Sequence, residues 1–339
     1  MGLLKYIVRR FLFLVVLVFG ITTMVFLLTQ LVPGEPELAY LSQRSLSDED
    51  VVAAFRARWG LDQPLYVQYI KYIKNLAQGD LGTSFRTNRP VLVDLKQYLP
   101  ATIELALIAI IIATVFGILF GVLSATWPNS FIDHLLRTFS VTGVSIPSFW
   151  FALLVLYVFY FQLGWSPGPG RLGAWSTPPD TITNFYILDA IIQKKWEIAG
   201  ESFRHAFWPA LVLGAFTMGL ITRTNRSSLL ETMSMDYIRT ARAKGLGEVA
   251  VVTRHAFGNA FIPVITVIGL GFGNLLGGAV LVETIFSWPG IGMYAYRSAV
   301  SLDFPAISGV ALVIAVNYLI INLVVDILYG IIDPRIRYQ

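Results

Sequence analysis

The chain has 339 residues, of which 55% are hydrophobic and 14% are charged. A soluble domain usually carries about a quarter charged residues, so this composition favours an integral membrane protein. The net charge of +4 is not gathered into a basic block, and we expect no nucleic-acid partner. The absence of cysteine excludes disulfide scaffolds, cysteine nucleophiles and zinc sites built from thiolates.

Six apolar segments predict six transmembrane helices, because a helix needs about 20 apolar residues to cross roughly 30 Å of hydrocarbon. The predicted spans are 11–32, 99–125, 139–163, 207–221, 261–286 and 305–332. No small-residue cleavage site follows the first span, so we interpret it as an uncleaved helix. The fourth span is short, and we expect its helix to continue past Ile221.

The charges around the spans predict that both termini are cytoplasmic. Lys5, Arg9 and Arg10 directly precede the first span, which usually dominates orientation. The overall distribution of Lys and Arg does not decide the orientation, because many of these residues lie in an outer loop that is too long for the charge rule to apply. The predicted divisions are a cytoplasmic end with the first span (1–36), an extracytoplasmic loop (37–98), a core of five spans (99–332) and a cytoplasmic tail (333–339).

The two outer loops carry different patterns. In the first, Ser47 and Asp50 have capping-box spacing and predict a helix that ends at Gly60. A second amphipathic helix is predicted from Pro64 to near Gly79. This loop is interpreted as a lid on the outer ends of the spans or as a docking surface for an extracytoplasmic partner. The second loop, 164–200, predicts irregular chain with one short helix over 188–196.

Proline marks two places where spans are expected to bend. Pro147 and Pro209 lie within or near the third and fourth spans. Proline inside a membrane helix usually produces a kink whose freed carbonyl is satisfied by neighbours.

The segment 222–260, between the fourth and fifth spans, is polar and basic. Ser234 or Asp236 is predicted to cap a short amphipathic helix that ends or bends at Gly245 and Gly247. By periodicity alone this helix lies on anionic lipid, belongs to a solvated loop, or docks a partner protein.

The amino-acid sequence of this segment favours the third interpretation, docking of a partner protein. The run from Asp236 to Leu246 resembles the signature loop of binding-protein-dependent ABC importer permeases, more narrowly the dipeptide/oligopeptide permease family and its first permease subunit. Further similarities follow in order along nearly the whole chain: Tyr6-Ile-Val-Arg-Arg10, Gly60-Leu-Asp-Gln-Pro64, Gly79-Asp-Leu-Gly82, Pro147-Ser-Phe-Trp150, Pro289-Gly290 and Asp333-Pro-Arg-Ile-Arg337.

The resemblance implies an all-α membrane protein with the type I ABC importer permease fold, in a prokaryotic inner membrane. It implies that a coupling helix docks on a cytoplasmic ATPase, and that the residues involved are Tyr237, Arg239, Thr240, Ala241, Arg242, Ala243, Lys244, Gly245 and Leu246. The implied partners are a second homologous permease, two cytoplasmic ATPases and a soluble substrate-binding protein. The chain itself would bind no cofactor, since ATP and magnesium belong to the ATPases. The implied cargo is dipeptides or short oligopeptides; relatives also carry glutathione, nickel chelates, haem or oligosaccharides.

Small residues predict close helix packing. Gly269, Gly273 and Gly277 recur at i+4 on one face of the fifth span, and Gly117 and Gly121 suggest a second close contact. In the family that the chain resembles, two related permeases form a pair. The face of Gly269, Gly273 and Gly277 is therefore also a candidate for the interface between them.

Ionisable residues inside spans are costly and begin as candidates for function. Glu104 lies near the outer start of the second span and is interpreted as structural. Glu283, near the outer end of the fifth span, is a candidate for contact with a substrate ammonium group. Asp326 on the sixth span is interpreted as one partner of an ion pair, with a proton relay as the alternative. The three histidines have no metal-ligand spacing, and we expect no metal site.

Two other function classes are weighed against the permease. An ion-coupled secondary transporter usually shows an internal repeat, and none is visible. An intramembrane hydrolase would need a motif such as His-Glu-x-x-His or Gly-x-Ser-x-Gly, and neither occurs. No phosphate-binding loop is present either, so any ATP hydrolysis must take place in another chain.

Overall fold

The computed structural model describes residues 3–31, 37, 40–41 and 43–332 of the chain. The described part is helical, and its only extended pairing is an isolated bridge between Thr83 and Pro90. The helices, in chain order, are α1 (Leu3–Leu31), α2 (Gln43–Leu46), α3 (Glu49–Trp59), α4 (Leu65–Ala77), α5 (Val91–Thr126), α6 (Phe131–Ser145), α7 (Ser148–Gln162), α8 (Tyr186–Ile192), α9 (Trp196–Met233), α10 (Asp236–Ala243), α11 (Glu248–Gly278), α12 (Val280–Ile285), α13 (Ile291–Val300) and α14 (Phe304–Ile332).

Five of the described helices are long and apolar enough to cross a membrane. They are α1, α5, α9, α11 and α14. A sixth span exists if α6 and α7 are counted as one broken span. Apolar helices therefore lie at the predicted places, although α5 begins eight residues before predicted Leu99, α9 extends to Met233 and α11 ends at Gly278, eight residues before the predicted end of the fifth span.

The third span differs from its prediction as one continuous helix over 139–163. α6 ends at Ser145, α7 begins at Ser148, and their axes are bent by 109°. Pro147 explains the break, because proline has no N–H for the helix and forces the preceding residue out of the helical region. Ile146 accordingly has φ −77° and ψ 127°. The proline signalled a kink, but the sequence did not indicate its size.

α9 lies at the centre of the bundle and packs on α5, α6 and α11. Its glycines allow neighbouring backbones to approach closely, as small residues do in membrane helices. A Cβ atom on Gly214 would lie 2.7 Å from the carbonyl oxygen of Ala109 on α5, and one on Gly219 would lie 2.6 Å from that of Ser140 on α6. Pro209 is accommodated within the continuous helix and does not interrupt it.

A buried ion pair joins the first turn of α6 to α9. Asp133 is fully buried and accepts hydrogen bonds from Arg226 Nε at 2.8 Å and Arg226 Nη2 at 2.7 Å. The Ser124 hydroxyl and the backbone N–H of Asn129 also donate to the carboxylate. All the charge of Asp133 is therefore satisfied by local donors, as a buried carboxylate requires. Its position three residues into α6 gave no sequence signal for this role.

The first outer loop folds onto the bundle through its two predicted helices. α3 ends at Gly60, which has φ +68°, and α4 follows Pro64. The N-cap of α3 is Asp48 and not the predicted Ser47. The carboxylate of Asp48 accepts hydrogen bonds from the N–H groups of Asp50 and Val51. Both helices are therefore confirmed, with the cap displaced by one residue.

One carboxylate fixes the end of this loop to the outer end of α14. Asp303 is buried and accepts from the Ser84 hydroxyl and from the N–H groups of Phe85 and Arg86. The loop thus packs on the bundle in the manner of a lid, as one of the two interpretations predicted.

The short helix of the second outer loop lies slightly earlier than predicted. α8 spans Tyr186–Ile192. Lys194, which has a positive φ of 58°, separates it from the start of α9. Asp189 holds the preceding turn by accepting from the N–H groups of Ile182, Thr183 and Asn184. The pKa of Asp189 is lowered: burial opposes ionisation, but the hydrogen bonds from Thr183 and from these N–H groups outweigh it.

Replacing Gly214 by alanine tests the close packing of α9. We expect Gly214→Ala to lower the unfolding free energy by about 1–3 kcal/mol, because the neighbouring atom is backbone and cannot rotate away. Gly200→Ala, on the same helix but with open space around it, is the matched control and should be neutral or stabilising. Thermal unfolding of the detergent-solubilised chain, followed by tryptophan fluorescence, measures both. Equal melting temperatures for the two variants would contradict the packing argument.

A double-mutant cycle tests the Asp133–Arg226 pair. We expect Arg226→Met to destabilise the chain by about 3–5 kcal/mol, since it leaves a buried carboxylate without its cation. Adding Asp133→Asn should restore part of that loss because the unpaired charge is then removed. The same thermal unfolding assay gives the coupling between the two sites, and strictly additive losses would refute it.

Candidate functional site

The predicted amphipathic helix forms at the junction between α9 and α11. α10 covers Asp236–Ala243, close to the predicted limits. Its N-cap is Met235, without a side-chain cap, so neither Ser234 nor Asp236 has the predicted capping role. The Ser234 hydroxyl instead donates to the carbonyl of Glu231 at 2.7 Å. At the other end Gly245 has φ +79°, a conformation that glycine adopts without strain.

The predicted loop 222–260 is much shorter in the structure. α9 continues to Met233 and α11 begins at Glu248, so only residues 234–235 and 244–247 lie outside a helix. The 38 residues of α9 are about 57 Å long, nearly twice the hydrocarbon thickness, and its polar end extends beyond the apolar span. Residues 251–256 of α11 form a π-helical turn.

The apolar side of α10 is buried against the bundle. Ile238 and Ala241 pack with residues of three other helices: Ala125 of α5, Leu229 of α9, and Val251, Val252, Ala256 and Ala260 of α11. Burial of an aliphatic side chain such as Ile238 stabilises the packing by about 1.5–3 kcal/mol. A displacement of α10 must therefore act on the adjoining ends of α5, α9 and α11.

The opposite side of α10 is open to solvent. The exposed residues are Asp236, Tyr237, Arg239, Thr240, Arg242, Ala243, Lys244, Gly245 and Leu246. Three of them contact charged or polar neighbours. Asn259 donates to the hydroxyl oxygen of Tyr237 at 2.8 Å, Arg242 Nε donates to Glu248 at 3.0 Å, and Arg239 lies 3.6 Å from Asp236. The hydrogen bond with Glu248 raises the pKa of Arg242. The chain thus presents aromatic and cationic groups in a defined geometry at the end of its longest helix.

The glycine stripe of α11 packs within the chain. A Cβ atom on Gly269 would lie 2.2 Å from Val325, and one on Gly273 would lie 2.9 Å from Tyr318, both on α14. Gly277 is in ordinary contact distance of Ile314, 3.7 Å away. Because α14 covers this face, it is not available to a second permease.

The second glycine pair brings α5 against α9. A Cβ atom on Gly117 would lie 2.7 Å from Ile221, and one on Gly121 would lie 2.7 Å from Asn225. The Asn225 amide also donates to the carbonyl of Ile118 at 2.9 Å, so the contact combines packing with a hydrogen bond.

Glu104 lies in a buried ion pair with Arg171 of the second outer loop. Its other oxygen accepts from the N–H of Ile187 at 2.8 Å, and Arg171 lies 3.5 Å from the ring centroid of Tyr186. These contacts give Glu104 the structural position that its place near a helix end suggested. Arg171 was not singled out by the sequence, because a lone arginine in an irregular loop carries no positional signal.

Glu283 on α12 is fully buried and lies away from open space. It accepts from the Thr102 hydroxyl at 2.6 Å and from the N–H of Met293 at 3.0 Å. A Cβ atom on Gly290 would lie within 2.5 Å of this carboxylate, so the turn before α13 wraps tightly around it. A substrate ammonium group has no access to Glu283 in this conformation.

The side chain of Asp326 lies outside the described residues. Within the described ranges no cluster of three or more His, Asp or Glu has the arrangement of a metal site.

Comparison with known protein families identifies two matching regions that together span most of the chain. The family described as binding-protein-dependent transport system inner membrane component matches residues 117–338, and the N-terminal region of such membrane components matches residues 3–106. Together the two matches cover most of the chain, including α10 and both outer loops.

Curated relatives match over nearly their full length. A probable D,D-dipeptide transport system permease protein of Escherichia coli (strain K12) is 47% identical over 95% of this chain and 94% of its own. A dipeptide transport system permease protein of Alkalihalophilus pseudofirmus is 44% identical over 99% of this chain and 100% of its own. A glutathione transport system permease protein of Escherichia coli O6:H1 is 37% identical over 99% and 100%.

These matches confirm the predicted fold class and the prediction of a non-catalytic subunit, because the relatives are named as permeases and the family is an inner-membrane component. They likewise confirm transport as the function and a membrane location. The chain belongs to the family of binding-protein-dependent transport system inner membrane components and is a permease subunit of an ABC importer.

Proposed function

We propose that this permease imports dipeptides or short oligopeptides as one of two homologous permease subunits, together with two cytoplasmic ATPases and an extracytoplasmic binding protein. The observation that carries the proposal is that α10 has one apolar side buried in the bundle and one polar side exposed to solvent. Its apolar side is fixed to α5, α9 and α11, and its aromatic and basic side is free for a partner. A helix held in this way transmits a push from outside the bundle to three spans at once.

The orientation follows from the role assigned to α10. An ATPase is cytoplasmic, so the C-terminal end of α9 lies at the cytoplasmic side. If α6 and α7 cross as one broken span, alternation along the chain then gives a cytoplasmic N-terminus and a cytoplasmic C-terminus. Arg9 and Arg10 near the start of α1 agree with this orientation.

The names of the relatives support a peptide cargo. Those at 47% and 44% identity are named as permeases for D,D-dipeptides and dipeptides. The glutathione permease at 37% identity keeps a modified tripeptide as the alternative cargo. All three names share a short, peptide-like solute.

The mechanism is alternating access driven by the partner subunits. ATP and magnesium bind the two ATPases, whose closure displaces α10 and its counterpart on the second permease. For this to change the state of the bundle, ATP and the loaded binding protein must bind the outward-open state more tightly than the inward-open state. The role of this chain is mechanical, because it converts the displacement of α10 into movement of α5, α9 and α11.

Reconstitution of the complete importer in lipid vesicles tests the function. We expect ATP hydrolysis to rise when the binding protein is loaded with a dipeptide, because the loaded protein selects the state in which the ATPases close. Hydrolysis with empty binding protein is the control. Stimulation by glutathione but not by dipeptides would change the cargo, and a complete absence of ATPase association would refute the importer assembly.

Substitution at Gly245 tests the coupling role. We expect Gly245→Val to retain ATP hydrolysis but to lose most transport, because valine is strained at φ +79° and must shift the end of α10. Gly247→Val is the matched control: its φ of −65° suits any residue, and no atom lies within 4 Å of the added Cβ. Gly245→Asn should restore transport, since asparagine tolerates the left-handed conformation. Normal transport by Gly245→Val would count against the coupling role.

A further inference from the structure

A cavity of about 440 Å³ opens between α6 and α9. Two fixed contacts bound this region. At one, Gly219 of α9 meets the backbone of Ser140 on α6, and at the other, Arg226 holds Asp133. Residues of both helices line the space, five from α6 and five from α9. None of the functions described above uses it.

The cavity carries positive charge without a matching acid. Arg137 and Arg223 are exposed at its lining, and neither forms an ion pair or side-chain hydrogen bond within the described ranges. Arg226, the third cation of the lining, is already neutralised by Asp133. No aspartate or glutamate belongs to the lining. The electrostatics therefore favour an anion that binds Arg137 and Arg223 together.

The rest of the lining favours an apolar group on the same ligand. Val141 and Val144 form part of the wall, with small residues such as Ser145 beside them. Next to the cavity, α6 exposes Phe139 and Val141 at 52% and 62% of their surface. An anionic head joined to an aliphatic chain satisfies both parts of the cavity at once.

The depth of the two arginines matches a lipid headgroup. Arg223 follows the apolar stretch that ends at Ile221, and Arg137 lies six residues after the start of α6. With the cytoplasmic orientation proposed above, both lie at the inner surface of the membrane. Basic pockets between helices at this level attract anionic lipids, which are enriched on the cytoplasmic leaflet.

A peptide in transit fits this cavity less well. At neutral pH a dipeptide carries an ammonium group as well as a carboxylate, and the ammonium would need an acceptor with negative charge. Asp133, the carboxylate paired with the lining residue Arg226, is buried and fully occupied by Arg226, Ser124 and Asn129. An anionic phospholipid has no such requirement.

We propose that the cavity between α6 and α9 is a binding site for an anionic phospholipid of the inner leaflet. The lipid phosphate contacts Arg137 and Arg223, and an acyl chain packs against Val141 and Val144. The leaflet assignment rests on the orientation proposed for α10. The lipid would fill the gap between α6 and α9, the second of which packs on α10, and so would stabilise their spacing.

Titration of the purified full chain in detergent with short-chain phosphatidylglycerol, followed by native mass spectrometry, tests the site. We expect the double variant Arg137→Gln/Arg223→Gln to bind roughly thirtyfold more weakly, since each basic side chain near an anionic headgroup contributes about fivefold. The matched control is Arg204→Gln/Arg297→Gln, which removes the same charge from exposed positions elsewhere. Because all four arginines are exposed, both double variants should fold normally, and thermal unfolding checks this.

A second variant separates cavity shape from charge. Val141→Trp fills the cavity entrance and leaves every charge in place, so we expect it to weaken lipid binding several-fold. Equal lipid binding by the wild type and the arginine double variant would overturn the proposal. An equal loss in the Arg204/Arg297 control would overturn it too, since it would show binding by net charge alone.

Competition and assembly complete the test. Displacement of the lipid by inorganic phosphate or by dialanine would show a site for soluble anions and would overturn the lipid assignment. Loss of lipid binding when the second permease is added would show that this face is a protein interface, with the same consequence. The titration needs neither ATP nor transport, so failure here and failure of the importer function are distinguishable.

Discussion

Close approach of helix backbones around α9 is the constraint on which the rest of the structure depends. Lipid tails are as apolar as leucine, so helices in a membrane associate through tight packing and hydrogen bonds and not through hydrophobic burial alone. At Gly214 and Gly219 the backbones of α5 and α6 occupy the space where a side chain would be. α11 approaches from another side, where Gly271 meets Thr217. With its neighbours held this closely, α9 is the helix through which α5, α6 and α11 are packed together.

Two buried ion pairs join different elements of the bundle. Asp133 with Arg226 lies at one end, and Glu104 with Arg171 lies at the other. In each case a helix carboxylate is neutralised by an arginine from a different element, and backbone N–H groups or hydroxyls complete its coordination. Such pairs add little net stability over an apolar core, but they are very costly to break. They therefore determine which loop can dock on which helix end.

Sequence reasoning was most successful where the signal was local. Apolar length located the spans, capping and proline spacing located α3 and α4, and the family-like run located α10. It failed where the outcome depended on a tertiary contact. The 109° bend after Ser145 needs the packing of α7 to define it, and the polar half of α9 remains helical because α10 and α11 pack on it.

The candidate site shows the same division. The residues of α10 could be named from the chain alone, but their two sides could not be assigned until Ile238 and Ala241 were seen to be buried. The stripe of Gly269 and Gly273 was a correct indication of close packing whose partner, α14, no single sequence specifies. Arg137 and Arg223 are unremarkable in sequence, and only the cavity between α6 and α9 brings them together.

The attachment of the first outer loop to Asp303 has a consequence for how the chain is made. Ser84 and Asp303 are 219 positions apart, and their hydrogen bond joins the first outer loop to the turn between α13 and α14. During synthesis the loop emerges long before its acceptor exists. It must wait, unattached, until almost all the spans have been inserted. Closure of this contact therefore follows synthesis of the chain as far as Asp303, and a nascent chain interrupted before Asp303 would leave the N–H groups of Phe85 and Arg86 without this acceptor.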